Sequence, residues 1–206
     1  MIVYACSSNP GKLKEIALAG RESGPPGIAV KVLPDLKSIA PPEEKGSTFE
    51  ENACAKALYY SQFTSEAVLA DDSGLEVDWL QGAPGVYSAR YAGPDATDSA
   101  NNELLIRNLR NATNRTGRFV CVVALARQGR LLHSARASVE GVILAAGRGT
   151  GGFGYDPLFF YLPFNRTFAE LTPEEKLSVS HRGKALRLLF EWYRAATARE
   201  RRPPGD

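Results

Sequence analysis

Apolar residues occur in short blocks along this chain, and the turn signals between the blocks decide what each one becomes. Ile2–Ser7 is a short apolar run that meets Asn9-Pro10-Gly11, which predicts a buried strand and a turn. Lys12–Arg21 then carries Leu13, Ile16, Ala17 and Gly20 at helical spacing. Gly24-Pro25-Pro26-Gly27 breaks the chain before a second strand candidate, Ile28–Leu33, and an acidic loop from Pro34 to Gly46.

Thr48-Phe49-Glu50-Glu51 is a capping box that opens a helix to about Phe63. Asn52 and Lys56 lie one turn apart on it and can point at the same target. Ala67–Ala70 predicts a short strand that delivers Asp71-Asp72-Ser73-Gly74 at its end, and Leu75–Trp79 can continue it. Thr97–Arg110 reads as a helix. Phe119–Arg127 and Arg130–Leu144 read as a hairpin turning at Gln128-Gly129. A glycine-rich loop from Gly147 to Gly154 and a strand at Leu158–Tyr161 follow. Thr172-Pro173-Glu174-Glu175 is a second capping box, and a helix from Ser180 to Ala196 ends the ordered pattern. The fold class is mixed α/β.

The chain has 206 residues, with 44% hydrophobic and 23% charged, ordinary for a globular protein that needs no staples. A net charge of +2 is too small for a nucleic-acid footprint, and the tail arginines Arg199, Arg201 and Arg202 are interrupted by Glu200 and prolines. No apolar run reaches the ~20 residues of a membrane helix, and no secretion signal is seen at the start. Cys6, Cys54 and Cys121 have no metal or disulfide spacing and read as reduced thiols in a cytoplasmic protein.

Three polar stretches carry the chemistry. Ser7-Ser8-Asn9-Pro10-Gly11-Lys12 joins a strand to a helix, where backbone N–H groups, the helix dipole and an ammonium suit an anion. It is no Walker loop, since the upstream glycine is missing and Leu13 stands at the metal-binding hydroxyl position. Asp71-Asp72 sets two carboxylates side by side, one facing a cleft and the other bracing it. Such a pair calls for a cation or a raised pKa. Magnesium suits oxygen ligands and keeps company with one or two carboxylates and phosphates. His181-Arg182 puts basic groups at a helix start, against the dipole, which points to a partner. Gly147–Gly152 matches a dinucleotide fingerprint only formally, because no helix follows it. Phe153 at its end is either a core ring or a base-stacking one.

The ordered motifs Ser-Ser-Asn-Pro-Gly-Lys, Phe-Glu-Glu-Asn-Ala, Ala-Asp-Asp-Ser-Gly-Leu, Gly-Ala-Pro-Gly-Val-Tyr-Ser-Ala-Arg-Tyr, Gly-Gly-Phe-Gly-Tyr-Asp-Pro and Ser-His-Arg-Gly-Lys-Ala-Leu resemble those of the inosine triphosphate pyrophosphatase (XTP/dITP diphosphatase) family over about residues 2–195. The resemblance implies an elongated, strongly twisted mixed sheet with flanking helices forming two lobes around a cleft. It implies one domain over residues 1–196, with 197–206 expected as a disordered tail. It further implies hydrolysis of ITP, dITP and XTP to the monophosphate and pyrophosphate, a Mg2+ ion and a homodimer in the cytoplasm.

By motif position, Ser7, Ser8, Asn9, Pro10, Gly11 and Lys12 would hold phosphates with Lys56. Asp72 would accept the proton and bind the metal, with Glu44 as second ligand, and Ser73 would touch substrate. Phe153, Gly154, Tyr155, Asp156, Lys176, His181 and Arg182 would form the nucleoside pocket, with Arg182 reading the 6-keto oxygen. Two alternatives stand beside this reading: a pyrophosphatase for other modified nucleotides, and a nucleotide-binding regulator without turnover.

Overall fold

Asn9 shows how the first βα unit is set. Its side chain accepts hydrogen bonds from the N–H groups of Gly11 and Lys12, at 2.8 and 3.1 Å, and so caps helix α1 (Pro10–Ser23) with Pro10 in the first turn. Strand β1 (Ile2–Cys6) precedes it and β2 (Ala29–Val32) follows. The computed structural model describes residues 2–26 and 28–200, with side chains to 196.

Seven strands form one mixed, twisted sheet in the order β2-β1-β3-β4-β5-β6-β7. Strand β1 is parallel to both β2 and β3 (Ala67–Val77). From β3 onward every pairing is antiparallel, through β4 (Thr116–Arg127), β5 (Arg130–Ile143), β6 (Phe159–Tyr161) and β7 (Arg166–Thr167). The β4–β5 hairpin turns at Gln128-Gly129 as expected, both in the left-handed region.

Helix α2 (Phe49–Tyr60) begins at the expected capping box and covers one face of β3 and β4 with Phe49, Ala53 and Ala57. Helices α1 and α5 (His181–Glu200) cover the other face, burying Ile16, Ala185, Leu186 and Leu189 against Leu69, Val123 and Leu125. Each such fully buried leucine or isoleucine contributes about 1.5–3 kcal/mol by removal from water. Farther along that face Phe119, Phe159 and Phe168 stack into a second core. Helix α3 (Asp98–Asn108) and the short α4 (Pro173–Val179), capped by Thr172, complete the set.

Asp71-Asp72-Ser73-Gly74 does not end a strand. It lies in the middle of one continuous strand of 11 residues, all four residues paired with β4. The sequence looks like a turn because it is acidic and ends in glycine. Pairing with the apolar run Phe119–Ala126 overrides that local preference. Cys6 and Cys121 are buried and Cys54 is half-buried, all as free thiols. The expected disordered tail falls partly on the end of α5, and residues 201–206 lie outside those described. No helix among the described residues is long and apolar enough to cross a membrane.

Candidate active site

The cleft opens where β1 stops. Strand β1 pairs with β3 only from Ala67 to Ala70, and Asp71 is the next residue. Beyond Gly74 the same edge is covered by the helical turn Gly85–Arg90, whose Ser88 hydroxyl accepts from the Leu75 N–H at 2.9 Å. A Cβ at Gly74 would run into that serine, so glycine permits the close approach. The uncovered stretch is therefore Asp71–Gly74, flanked by two closed segments. Because side chains alternate along a strand, Asp71 and Asp72 serve different partners.

Asp72 serves the α2 side. Lys56 donates to its Oδ1 at 2.8 Å and Asn52 to its Oδ2 at 3.3 Å, so the two residues one helical turn apart do meet on one target. Lys56 also donates to Glu44 at 3.0 Å, which brings the acidic loop back over the cleft. Arg90 holds the other Glu44 oxygen at 3.1 Å. Burial raises the pKa of Asp72, and Lys56 offsets this only in part. Burial pulls the Lys56 ammonium down, but Asp72, Asp71 and Glu44 together outweigh it and leave it raised.

Asp71 serves the α1 and α5 side. It is 2% exposed, and its Oδ2 contacts Lys12 at 3.2 Å and Arg182 at 3.0 Å. Burial pushes this carboxyl up, yet Lys12 and Arg182 outweigh it and hold it well below the usual carboxylate range. Arg182 donates twice to Asp71, once to Ser73 and once to Glu15, which leaves one of its five N–H groups uncommitted among the described residues. Glu15 also pairs with Lys176 at 2.7 Å, and Lys176 in turn with Asp156. Asp156 accepts from the Phe153 N–H at 2.8 Å and so shapes the glycine-rich loop.

The Phe153 ring lies 4.5 Å under the Lys176 ammonium and packs on Gly11, where any Cβ would strike it. Asp98 and Asn102 of α3 grip Gly154 from the far side. His181 is stacked on Phe119 at 4.7 Å, and its Nδ1 has no hydrogen-bond partner among the described residues. Burial, with Arg182 and Lys176 nearby, drives its pKa well below 6.5.

Asp71, Asp72, Lys12, Lys56, Glu44 and Arg182 line one cavity of about 270 Å³, with Glu15, Asn52, Arg90 and Asn102 behind its wall. Of the residues expected in the site, Pro10 and Gly11 alone stay out of its wall: Pro10 starts α1 and Gly11 backs the Phe153 ring. One expectation is corrected. The N–H groups of Gly11 and Lys12 are not open to an anion, because the Asn9 side chain already takes them. Tyr155 lines the cavity as well, and its hydroxyl donates to the Ser88 carbonyl at 2.8 Å, which ties the loop to the helical turn.

Glu15, Arg90, Asp98 and Asn102 are additions that the sequence reading missed. Glu15 follows Lys12 by three residues, so the helical spacing of an acid beside a basic turn was the available signal.

Asp72 and Glu44 converge on Lys56, which shows that two hard carboxylates face one point. No group of three or more His, Cys, Asp or Glu suited to a metal occurs among the described residues. Two carboxylates with room for phosphate and water suit magnesium and do not suit a closed zinc site.

The Ham1 family profile matches residues 3–192. The dITP/XTP pyrophosphatase of Desulforamulus reducens is 48% identical over 193 residues, covering 93% of this chain and 94% of its own. That of Thermus thermophilus is 47% identical, covering 94% and 92%. Among solved structures, a HAM1 protein from Coxiella burnetii superposes with a TM-score of 0.83 at 38% identity, over 95% of this chain and 99% of that one. The Ham1 protein of Staphylococcus aureus gives 0.83 at 37% identity, over 95% and 100%. With its fold, its ordered motifs and this match over nearly the whole length, the chain belongs to the Ham1 family.

Proposed function

We propose that this protein hydrolyses deaminated purine nucleoside triphosphates, ITP, dITP and XTP, to the monophosphate and pyrophosphate, and so clears them from the nucleotide pool. The observation that carries the reading is the split of two adjacent carboxylates in one cleft, Asp72 pairing with Lys56 and Asp71 with both Lys12 and Arg182. Relatives at 47–50% identity bear the name dITP/XTP pyrophosphatase, which supports dITP and XTP among these substrates.

At the phosphate end, Lys56 on Asp72, Lys12 on Asp71 and the Ser7-Ser8 turn form a cationic, donor-rich wall for phosphates. Asp72 and Glu44 would hold Mg2+. Such an ion supplies charge neutralisation on phosphate oxygens and a more acidic bound water. Asp72, with its raised pKa, takes the proton from the attacking water. Asn52 fixes its orientation through Oδ2.

At the other end, the last guanidinium N–H of Arg182, Lys176 and the neutral His181 face the base beside Phe153. Lysine and arginine donors pair with a 6-keto oxygen and are left unpaired by the 6-amino group of adenine, which costs about 1–3 kcal/mol per lost contact. The assembly we propose is a homodimer in the cytoplasm, tested by light scattering on the purified protein. The activity is tested by metal-dependent turnover on ITP, XTP, GTP and ATP with pyrophosphate detection. Orthophosphate as product, or equal rates on ITP and ATP, defeats the reading.

A further inference from the structure

Lys12 at the phosphate end and Arg182 at the base end do not act on separate carboxylates. Both lean on the same oxygen of Asp71, Oδ2, at 3.2 Å and 3.0 Å. Ser73 donates to that oxygen too, at 3.3 Å, and receives from Arg182 at 2.7 Å. The other oxygen, Oδ1, is buried and has no hydrogen-bond partner among the described residues. A carboxylate that spent one oxygen on each cation would insulate them from one another. Here a displacement of the guanidinium moves the atom on which the ammonium rests.

The assembly has little slack. Asp71 is 2% and Arg182 1% exposed, so water screens their contact only weakly. Arg182 is further tied through Glu15 to Lys176, and Lys176 to Asp156, whose carboxylate takes the Phe153 N–H. The chain of alternating charges thus runs without a break from Lys12 to the ring that faces the base. It holds three cations, Lys12, Arg182 and Lys176, against three anions, Asp71, Glu15 and Asp156. Lys56 adds a further cation that acts on Asp71 from the α2 side without a direct ion pair to it.

From this geometry we infer that Asp71 is a positioning residue that couples base recognition to the phosphate site. The inference rests on the reading of the cleft given above. A base that seats Arg182 fixes the oxygen that sets Lys12 against the phosphates. A base that leaves Arg182 unseated leaves Lys12 misplaced, so selectivity is expressed partly at the phosphate end, out of reach of the base itself.

The decisive variant is Lys12→Met, which removes a partly exposed ammonium on the phosphate side of Asp71 and leaves every side chain of the base end in place. We measure kcat/KM on ITP and on ATP, with magnesium, for the wild type and the variant. Coupling predicts a larger loss on ITP, so that the ITP/ATP ratio falls by about tenfold. An equal loss on both substrates overturns the coupling and leaves the phosphate role of Lys12 standing. No loss on either overturns the phosphate role and the coupling with it. Asp71→Asn, where its melting curve shows a folded protein, is expected to lower the same ratio. A ratio unchanged from wild type in that folded variant rejects Asp71 as the link, because a purely structural defect lowers both rates together.

Discussion

Asp71 and Asp72 are peptide neighbours, yet Asp71 pairs with Lys12 and Arg182 while Asp72 pairs with Lys56 and Asn52. Their replacement by asparagine therefore separates stability from catalysis. Asp72→Asn is expected to cut kcat on ITP by ~10²–10⁴-fold, the usual worth of a general base, with the melting temperature little changed. Asp71→Asn takes the charged partner of Lys12 and one of the two carboxylates held by buried Arg182, and is expected to cost about 3–5 kcal/mol in urea unfolding. Equal effects of the two substitutions on stability contradict this division.

Lys56 stands between two carboxylates proposed as metal ligands, 2.8 Å from Asp72 and 3.0 Å from Glu44. Without nucleotide, its ammonium competes with a divalent cation for both. Lys56→Met is expected to tighten Mg2+ binding to the nucleotide-free protein in calorimetric titration, by at least the ~1 kcal/mol of one nearby charge at moderate screening. The same variant should lose turnover, because a cation facing the phosphates is gone. Weaker Mg2+ binding in Lys56→Met places the metal elsewhere.

Much of the fold and part of this site can be read from the chain alone. Local chemistry carries those parts: the Thr48 and Thr172 capping boxes, the Gln128-Gly129 hairpin and the Asn52–Lys56 pair all formed as the spacing implied. Long-range pairing is where local reading stops. Asp71–Gly74 looks like a turn until β4 is placed beside it. Glu15 looks solvated until α5, more than 160 residues later, brings Arg182 onto it. Arg90 likewise gains its meaning from Glu44, 46 positions away. Helical spacing can place Glu15 beside Lys12, but no periodicity or cap reaches Arg182 or Glu44 across such separations.

His181 gives the protein a pH dependence of definite sign. Its folded pKa lies well below 6.5 because it is buried beside Arg182 and Lys176, whereas the unfolded chain titrates near 6.5. Between those values the unfolded state binds a proton that the folded state refuses. Stability therefore falls as pH drops below about 6.5, with a slope of at most ~1.4 kcal/mol per pH unit for one group. His133, stacked on Trp192 and also lowered by burial, adds in the same direction. Urea midpoints of His181→Phe, in a His133→Gln background, should lose most of this slope between pH 7 and pH 5. A slope that survives both changes assigns it to other groups.

Gly11→Ala sets two effects of opposite sign against each other. Gly11 lies in the first turn of α1 with an ordinary helical backbone, where alanine gains roughly 0.5–1 kcal/mol over glycine. The new methyl group, however, strikes the Phe153 ring. That ring is only half-buried and belongs to a loop, so it can move aside at less than the ~1–3 kcal/mol of overpacking a rigid core. Moving aside takes it off the Lys176 ammonium, where it now lies at 4.5 Å. The stability of the variant should thus stay within about 1 kcal/mol of wild type. Its KM for ITP should rise several-fold, because the ring beside the base is displaced. A KM held at the wild-type value, with the ring contact confirmed lost by structure, would remove Phe153 from substrate binding.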